Sequence, residues 1–378
     1  MRIFQSQFIN GQWSQVLPCQ NDAQWVLIFG DRELIQSSTI QAQLSSAFPF
    51  AQTVGCTTSG EISDIEIYDN TLVLTAISFE SSSIQAVSCN INAFSSSFEA
   101  GVHLTDQLPK ENLKHLFVLS DGQLVNGTEL VNGITRDLDT HIMLSGGMAG
   151  DADRFEETLV WHNKKVESGL IVLIGFYGEH LNIGYGSLGG WDTFGPDRLI
   201  TRSKGNVLYE MDDQPALDLY KKYLADHASK LPASALRFPL RVRNIEDNQS
   251  VVRTILSVNE EDKSMTFAGD VPQGAYARLM MANLDRLIDG AQGAAQKALQ
   301  SANQEAEFAI LISCVGRRLV LQQNTEAELE SAKDVLSERC KITGFYSYGE
   351  ISPIEGATVC GLHNQTMTIT TFSESQHA

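Results

Sequence analysis

The feature that most limits what this chain can fold into is a nonamer written twice. "GCTTSGEIS" occupies residues 55–63 and "GFYSYGEIS" residues 344–352, so that Gly55/Gly344, Gly60/Gly349, Glu61/Glu350, Ile62/Ile351 and Ser63/Ser352 correspond. Each copy sits in the same succession of segments. A short apolar run precedes it, "WVLIFG" at 25–30 and "AILISC" at 309–314, and reads as a buried strand. A helix-compatible stretch comes between, 31–46 in the first copy and 325–337 in the second. In the second, Thr325 and Glu328 read as a capping box, and Leu329, Ala332 and Leu336 mark a buried face. A further strand follows each nonamer, "TLVLTAISF" at 71–79 and "TMTITTFSE" at 366–374. A weaker third echo runs through "LFVLSDG" (116–122), a helix over 126–138 and "MLSGGMAGD" (143–151), where Gly150–Asp151 replaces Gly-Glu.

Strands that alternate with helices in repeated order predict an α/β or α+β protein. We expect two related halves from internal duplication, with mixed β-sheets covered by helices. The Gly-, Asp- and Pro-rich stretch between the halves puts the seam near 200–215, giving expected domains 1–210 and 211–378. The 3/4 spacing of Met280, Leu284, Leu287, Ala291, Ala294 and Ala298 predicts an amphipathic helix over 276–301.

Among 378 residues, 46 acidic side chains oppose 27 basic ones, for a formal charge of −19, which argues against nucleic acid and anionic lipid as partners. The start "MRIFQSQFINGQWSQ" has no continuous apolar region of the kind a secretory signal needs. The longest apolar run, "GLIVLIGFYG" at 169–178, is about half a membrane span and reads as a strand. No membrane insertion and a cytoplasmic location are the expectations. Six cysteines without a CxxC or short pairing pattern fit reduced thiols.

For chemistry, the Gly-x-x-x-x-Gly-Glu frame has two readings. Glycines let a turn bring ligand and main chain together, with Glu61, Glu350 and Asp151 as acceptors beside Gly60 and Gly349. Alternatively the frame is a turn between strands whose carboxylates cap nearby donors. "GYGSLGG" at 184–190 matches a dinucleotide-binding string, but "GGWDTFGPD" cannot open the helix that such a site requires. "LSDGQ" at 119–123 reads as a strand-to-helix loop in which Ser120 or Asp121 serves a ligand or caps a helix. Cys56 is the first choice for a nucleophile, with His363 as base and Asn364 beside it, against a buried inert thiol as the plainer reading. None of the eight histidines forms an HxH or HxxxH pair, which disfavours a multi-ligand metal site. One axial side chain is enough for haem, however, and His363 is the first candidate metal ligand and His115 the second.

Six segments together resemble the FIST family. They are "GCTTSGEI" (55–62), "SGGMAGD" (145–151), "GNVLYEMDDQPALDLY" (205–220), "ISCVGRRLVL" (312–321), "GFYSYGEISP" (344–353) and "LHNQTMTITTF" (362–372), and the similarity extends over nearly the whole chain. The resemblance implies an N-type and a C-type sensory domain, no enzymatic activity, and a small-molecule or gas ligand. It also implies a separate signalling partner such as a histidine kinase or a diguanylate cyclase. Stand-alone members include haem proteins that sense nitric oxide, which makes haem the implied cofactor. Others have been suggested to bind amino acids or similar polar metabolites. On that footing a pocket lined by Phe345, Tyr346 and Tyr348 is expected between the halves.

Overall fold

The computed structural model describes residues 1–375, apart from 20, 153, 232, 246–248 and 355–358. His377 lies outside the described residues. Helices and mixed sheets alternate as the sequence leads one to expect, and the repeated succession is present three times.

In the first module, Trp25–Gly30 runs parallel to Gln52–Thr57, with the helices Arg32–Gln36 and Ser38–Ala47 between them, and antiparallel to Leu72–Ser78. In the second, Leu113–Ser120 stands in the same relation to Met143–Met148 and Leu170–Tyr177. In the third, Phe308–Cys314 stands so to Lys341–Ser347 and Met367–Glu374. A flanking strand completes each sheet: Arg2–Ile9, Ser83–Asn90 and Leu181–Leu188 respectively.

Each module also carries a hairpin just before its last strand, and none keeps it. The first hairpin, Glu61–Ser63 with Glu66–Tyr68, adds to the third module's sheet, pairing Ile62 with Gly344. The third, Gly349–Pro353 with Cys360–His363, adds to the second, pairing Ile351 with Gly146. The second, Val160–His162 with Lys165–Glu167, adds to the first, pairing Trp161 with Gly55. The exchange is therefore cyclic. Gly55, Gly146 and Gly344 sit at the same place in all three sheets. A Cβ there would come within 2.1, 2.0 and 1.8 Å of the carbonyl oxygens of Ile28, Val118 and Leu311. The first glycine of each nonamer is thus dictated by close strand packing.

The inner faces of the three sheets share one apolar cluster. Trp25 is at its centre, with its ring edge-on to Phe117, Phe176, Phe308 and Phe372 at centroid distances of 5.1–6.3 Å, and Phe29 lies 4.7 Å from Phe345. Large apolar rings packed edge-to-face supply both burial and specific geometry. The outer faces are covered by helices. Leu284–Ala302 buries Leu287, Ala291, Ala294, Ala295 and Ala298 against Leu181–Leu188, where a Cβ on Gly184 or Gly186 would strike the carbonyls of Ala298 or Ala294 at about 2 Å. The "GYGSLGG" string thus serves helix-on-strand packing.

Residues 192–281 are inserted between the flanking strand of the third module and that helix. They form an eight-stranded antiparallel sheet with the helix Ala216–Leu224 and a core of their own, including Leu208, Tyr220, Met265, Phe267 and Leu279.

Two local expectations need correction. The predicted helix over 276–301 begins only at Leu284, because Tyr276–Met281 is a strand. Ala277 and Leu279 alternate inward there, and Asn283 caps the helix by accepting from the Arg286 N–H. The Thr325/Glu328 capping box does not form. Thr325 is already helical and its hydroxyl donates to the Gln322 carbonyl, while Glu328 turns inward to Arg317.

Candidate functional site

The two glutamates of the nonamers are buried in matching latches. Glu61 accepts from the Thr58 hydroxyl (2.6 Å) and the Thr71 hydroxyl (2.7 Å). Glu350 accepts from the Ser347 hydroxyl (2.8 Å) and from the Thr366 hydroxyl and N–H (3.0 and 3.1 Å). In each case one hydroxyl lies three residues upstream and the other opens the module's last strand. The latch therefore ties the root of a donated hairpin to the strand that remains at home. Burial pushes the carboxyls up to about 7 for Glu61 and about 8 for Glu350, against the lowering effect of these hydrogen bonds.

Gly60 has φ +125°, and Arg318 packs against it, donating to the Ser59 carbonyl at 2.7 Å and forming a two-pronged pair with Asp69. Gly349 is closely packed against Leu362 and Met148. Asp151, the second module's counterpart by sequence, is one step out of register. Val160, not Asp151, occupies the strand position opposite Cys56 that matches Glu61 and Glu350. Asp151 instead organises its own loop, accepting from Arg154 (2.6 and 2.9 Å), Arg32 (3.4 Å) and the N–H groups of Glu156 and Glu157.

Cys56 is fully buried in the common core, where burial holds its thiol far above the usual range. His363 belongs to a different sheet, and its Nε2 is 3.0 Å from the Ser352 carbonyl oxygen. Burial pulls its imidazole down to about 4. Asn364 is completely buried and neither of its side-chain polar atoms has a partner in the protein. His115 is also buried, 2.7 Å from the Ser145 hydroxyl. Tyr346 is buried beside Phe345 and donates to Glu328 at 2.7 Å. Glu328 in turn holds the fully buried Arg317. Of "VGRR" in 315–318, therefore, one arginine is an internal strut and the other crosses to the first module.

What the structure does open is a cleft of about 900 Å³ where the second module, the third module and the inserted sheet meet. Its walls are the 122–127 loop and Met148 on one side, Thr254–Leu256 and Phe267–Asp270 on the second, and Cys314–Gly316 with Leu319 on the third. Asp121, buried beneath the loop, shapes it by accepting from the N–H groups of Gln123 (2.8 Å), Leu124 (2.7 Å) and Gly169 (2.8 Å). It is a turn organiser of the Asx kind.

Tyr348 is the one sequence-predicted binding residue on the cleft surface; Glu61, Glu350, Asp151, His363 and Asn364 lie off it. Phe155 stacks on Tyr348 with centroids 4.6 Å apart and planes 14° from parallel. Leu124, Phe155, Leu256 and Leu319 line the cleft and remain 39–54% exposed, which makes the mouth an uncovered apolar rim. Thr254, Leu256 and Asp270 were not singled out as binding residues by the sequence, since they come from the inserted sheet. The available signal was the Gly269–Asp270 pair and a loop, "DGQLVNG", that places leucine and valine among turn residues.

Among the described residues, no group of three or more His, Cys, Asp or Glu side chains is arranged to hold a metal ion, and no helix is long and apolar enough to cross a membrane. All six cysteines are unpaired.

Comparison with known proteins gives one relative, an uncharacterized protein of Methanocaldococcus jannaschii. It is 23% identical over 331 residues, which are 80% of this chain and 60% of that protein, so the chain spans about three-fifths of that relative's length. The FIST N domain matches residues 24–214 and the FIST C domain residues 216–353, and the junction falls inside the inserted sheet. With both matches in sequence and little of the chain left over, the protein belongs to the FIST family of sensory domains.

Proposed function

We propose that the protein is a ligand-binding sensor and that its ligand occupies the cleft between the second module, the third module and the inserted sheet. The observation that carries this reading is the mainly apolar cleft with an exposed apolar rim, in the size range of small-molecule sites. A ligand there would bridge three parts of the fold. Polar contacts that already join the inserted sheet to the modules include Arg253 Nη1 donating to the Leu362 carbonyl (2.8 Å) and Asn126 Nδ2 to Asp270 (3.4 Å). Occupancy therefore has a physical route to the relative placement of these parts, and a separate signalling protein such as a histidine kinase or a cyclic-di-GMP enzyme is the proposed reader.

The geometry supports a small organic ligand better than haem with nitric oxide. His363 spends its Nε2 on a carbonyl and is not on the cleft surface. Among the described residues no basic side chain lines the cleft to meet propionates, and the iron ligand would have to be Cys314, Met148 or Tyr348. The residues present fit haem poorly. A polar metabolite held by Glu61 and Glu350 is likewise disfavoured, because both carboxylates already carry hydroxyl partners inside the protein.

The test is a small-molecule screen by thermal shift on the purified chain, with Leu256→Asp as the blocked-cleft control. Compounds that stabilise the wild type but not the variant are expected. A screen with no such difference overturns the reading. A visible spectrum after haem reconstitution checks the alternative, and a colourless protein ends it.

A further inference from the structure

The cleft's lining is informative about charge as well as shape. Among the described lining residues Asp270 is the one carboxylate, and there is no lysine, arginine or histidine. Arg253 lies behind this wall, but it is buried and its contacts are to the carbonyls of Asp270 (3.0 Å) and Leu362 (2.8 Å). An anion entering the cleft would lose its hydration with no cation on the described lining surface to replace it. A cation would meet Asp270 and be drawn in by a protein whose formal charge is −19.

The second observation is an unsatisfied hydroxyl. Thr254 is 5% exposed, lines the cleft, and its Oγ1 has no partner in the protein. A buried polar atom is ordinarily paired, so its partner is expected to come from whatever fills the space. The third is the aromatic wall. Phe155 holds φ at +53°, a conformation that a bulky side chain rarely adopts, and is about half exposed while stacked flat on Tyr348. Backbone strain of this kind persists where the surroundings impose it, and it concentrates at ligand clamps. A flat ring offered to this wall gains stacking and, if positively charged, a favourable interaction with the ring faces.

Resting on the reading of the cleft as the ligand site, we infer that it selects a planar aromatic amine in its cationic form. The ring lies against Phe155 and Tyr348, the ammonium at Asp270, and a ring donor or acceptor meets Thr254.

Three probes sharing one ring separate the elements: tryptamine (cation), 3-methylindole (neutral) and indole-3-acetate (anion), titrated by calorimetry into the full chain. Tryptamine is expected to bind roughly tenfold tighter than 3-methylindole, and indole-3-acetate weakest of the three. Asp270→Asn is expected to remove the advantage of tryptamine while leaving 3-methylindole unchanged, and Phe155→Ala to weaken both. Equal binding of tryptamine and 3-methylindole, or tightest binding by indole-3-acetate, overturns the charge inference. If that binding is still lost in Leu256→Asp, the cleft remains the ligand site. If none of the three probes binds, the aromatic-amine inference falls, and the wider screen decides separately whether the cleft binds anything.

Discussion

The two nonamers invite direct comparison, because they share a sequence frame and a latch but differ in their surroundings. Around Glu61 the turn is held from outside. Gly60 takes a backbone conformation closed to other residues, and Arg318 reaches across from the third module to brace it. Around Glu350 the turn is held by enclosure, with Gly349 wedged against Leu362 and Met148 and the carboxyl completely shielded. The same covalent pattern thus serves one latch through conformation plus an ion pair, and the other through packing. What repeats is the hydrogen-bonded carboxyl, and each site supplies its own way of keeping that carboxyl in place.

The comparison is broken most severely at the residue both copies treat identically. Gly55→Ala and Gly344→Ala should each cost about 3 kcal/mol or more, because the added methyl overlaps a strand carbonyl that cannot move aside. Urea denaturation midpoints should fall equally for the two variants.

The carboxyls sharpen the comparison by pH. Both have folded values raised above the ordinary glutamate value of 4.5, to about 7 for Glu61 and about 8 for Glu350. The folded state therefore holds protons that the unfolded chain has released. Their contribution is fully present below about pH 4.5 and is lost as pH rises through 7 and 8 respectively. Stability should fall by about 3 kcal/mol for Glu61 and about 5 kcal/mol for Glu350 across these windows. Glu350→Gln should remove the part of that slope extending to pH 8, and Glu61→Gln the part ending near 7, in chemical denaturation across pH 5 to 9. Identical flat profiles for wild type and both variants would contradict the enclosed carboxyls.

The glycines before the carboxyls come next. Gly60→Ala should cost about 1–3 kcal/mol because its φ is unfavourable for alanine, and Gly349→Ala should cost less, since side chains of Leu362 and Met148 can yield. The smallest effect is expected at the brace: Arg318→Ala should cost about 1 kcal/mol, since its partner Asp69 is about half exposed. Thermal melts of the three single variants would rank them.

Much of the fold was legible in the sequence because strands and their flanking turns leave local marks. Trp25–Gly30 is bounded as "WVLIFG" suggests, and the post-nonamer strands Leu72–Ser78 and Met367–Glu374 fall where expected. Tyr276–Met281 was misread because a strand running into an alanine-rich helix can share its 3/4 apolar spacing. The destination of each hairpin left no local mark at all. "GEIS" is the same string whether its strand stays in its module or leaves it, and only partner geometry decides. For the same reason the cleft was visible only through Tyr348. Its other walls come from segments far apart in sequence, and Asp270 and Thr254 acquire meaning only beside Phe155.

The cyclic hairpin exchange also bears on how the chain is made. Leaving the ribosome, residues 25–78 could form most of a sheet, yet the edge waiting for Val160–His162 stays open until the second module is synthesised, and the hairpin of Glu61–Ser63 with Glu66–Tyr68 has no sheet to join until Lys341–Ser347 emerges. At about 5–20 residues per second, that hairpin waits many seconds with one edge open. The first sheet can close once residues 160–167 are made, whereas the second and third wait for the last strands. A truncated chain ending before residue 341 should therefore be a client for chaperones or proteases, and the family's two domains would mature as one.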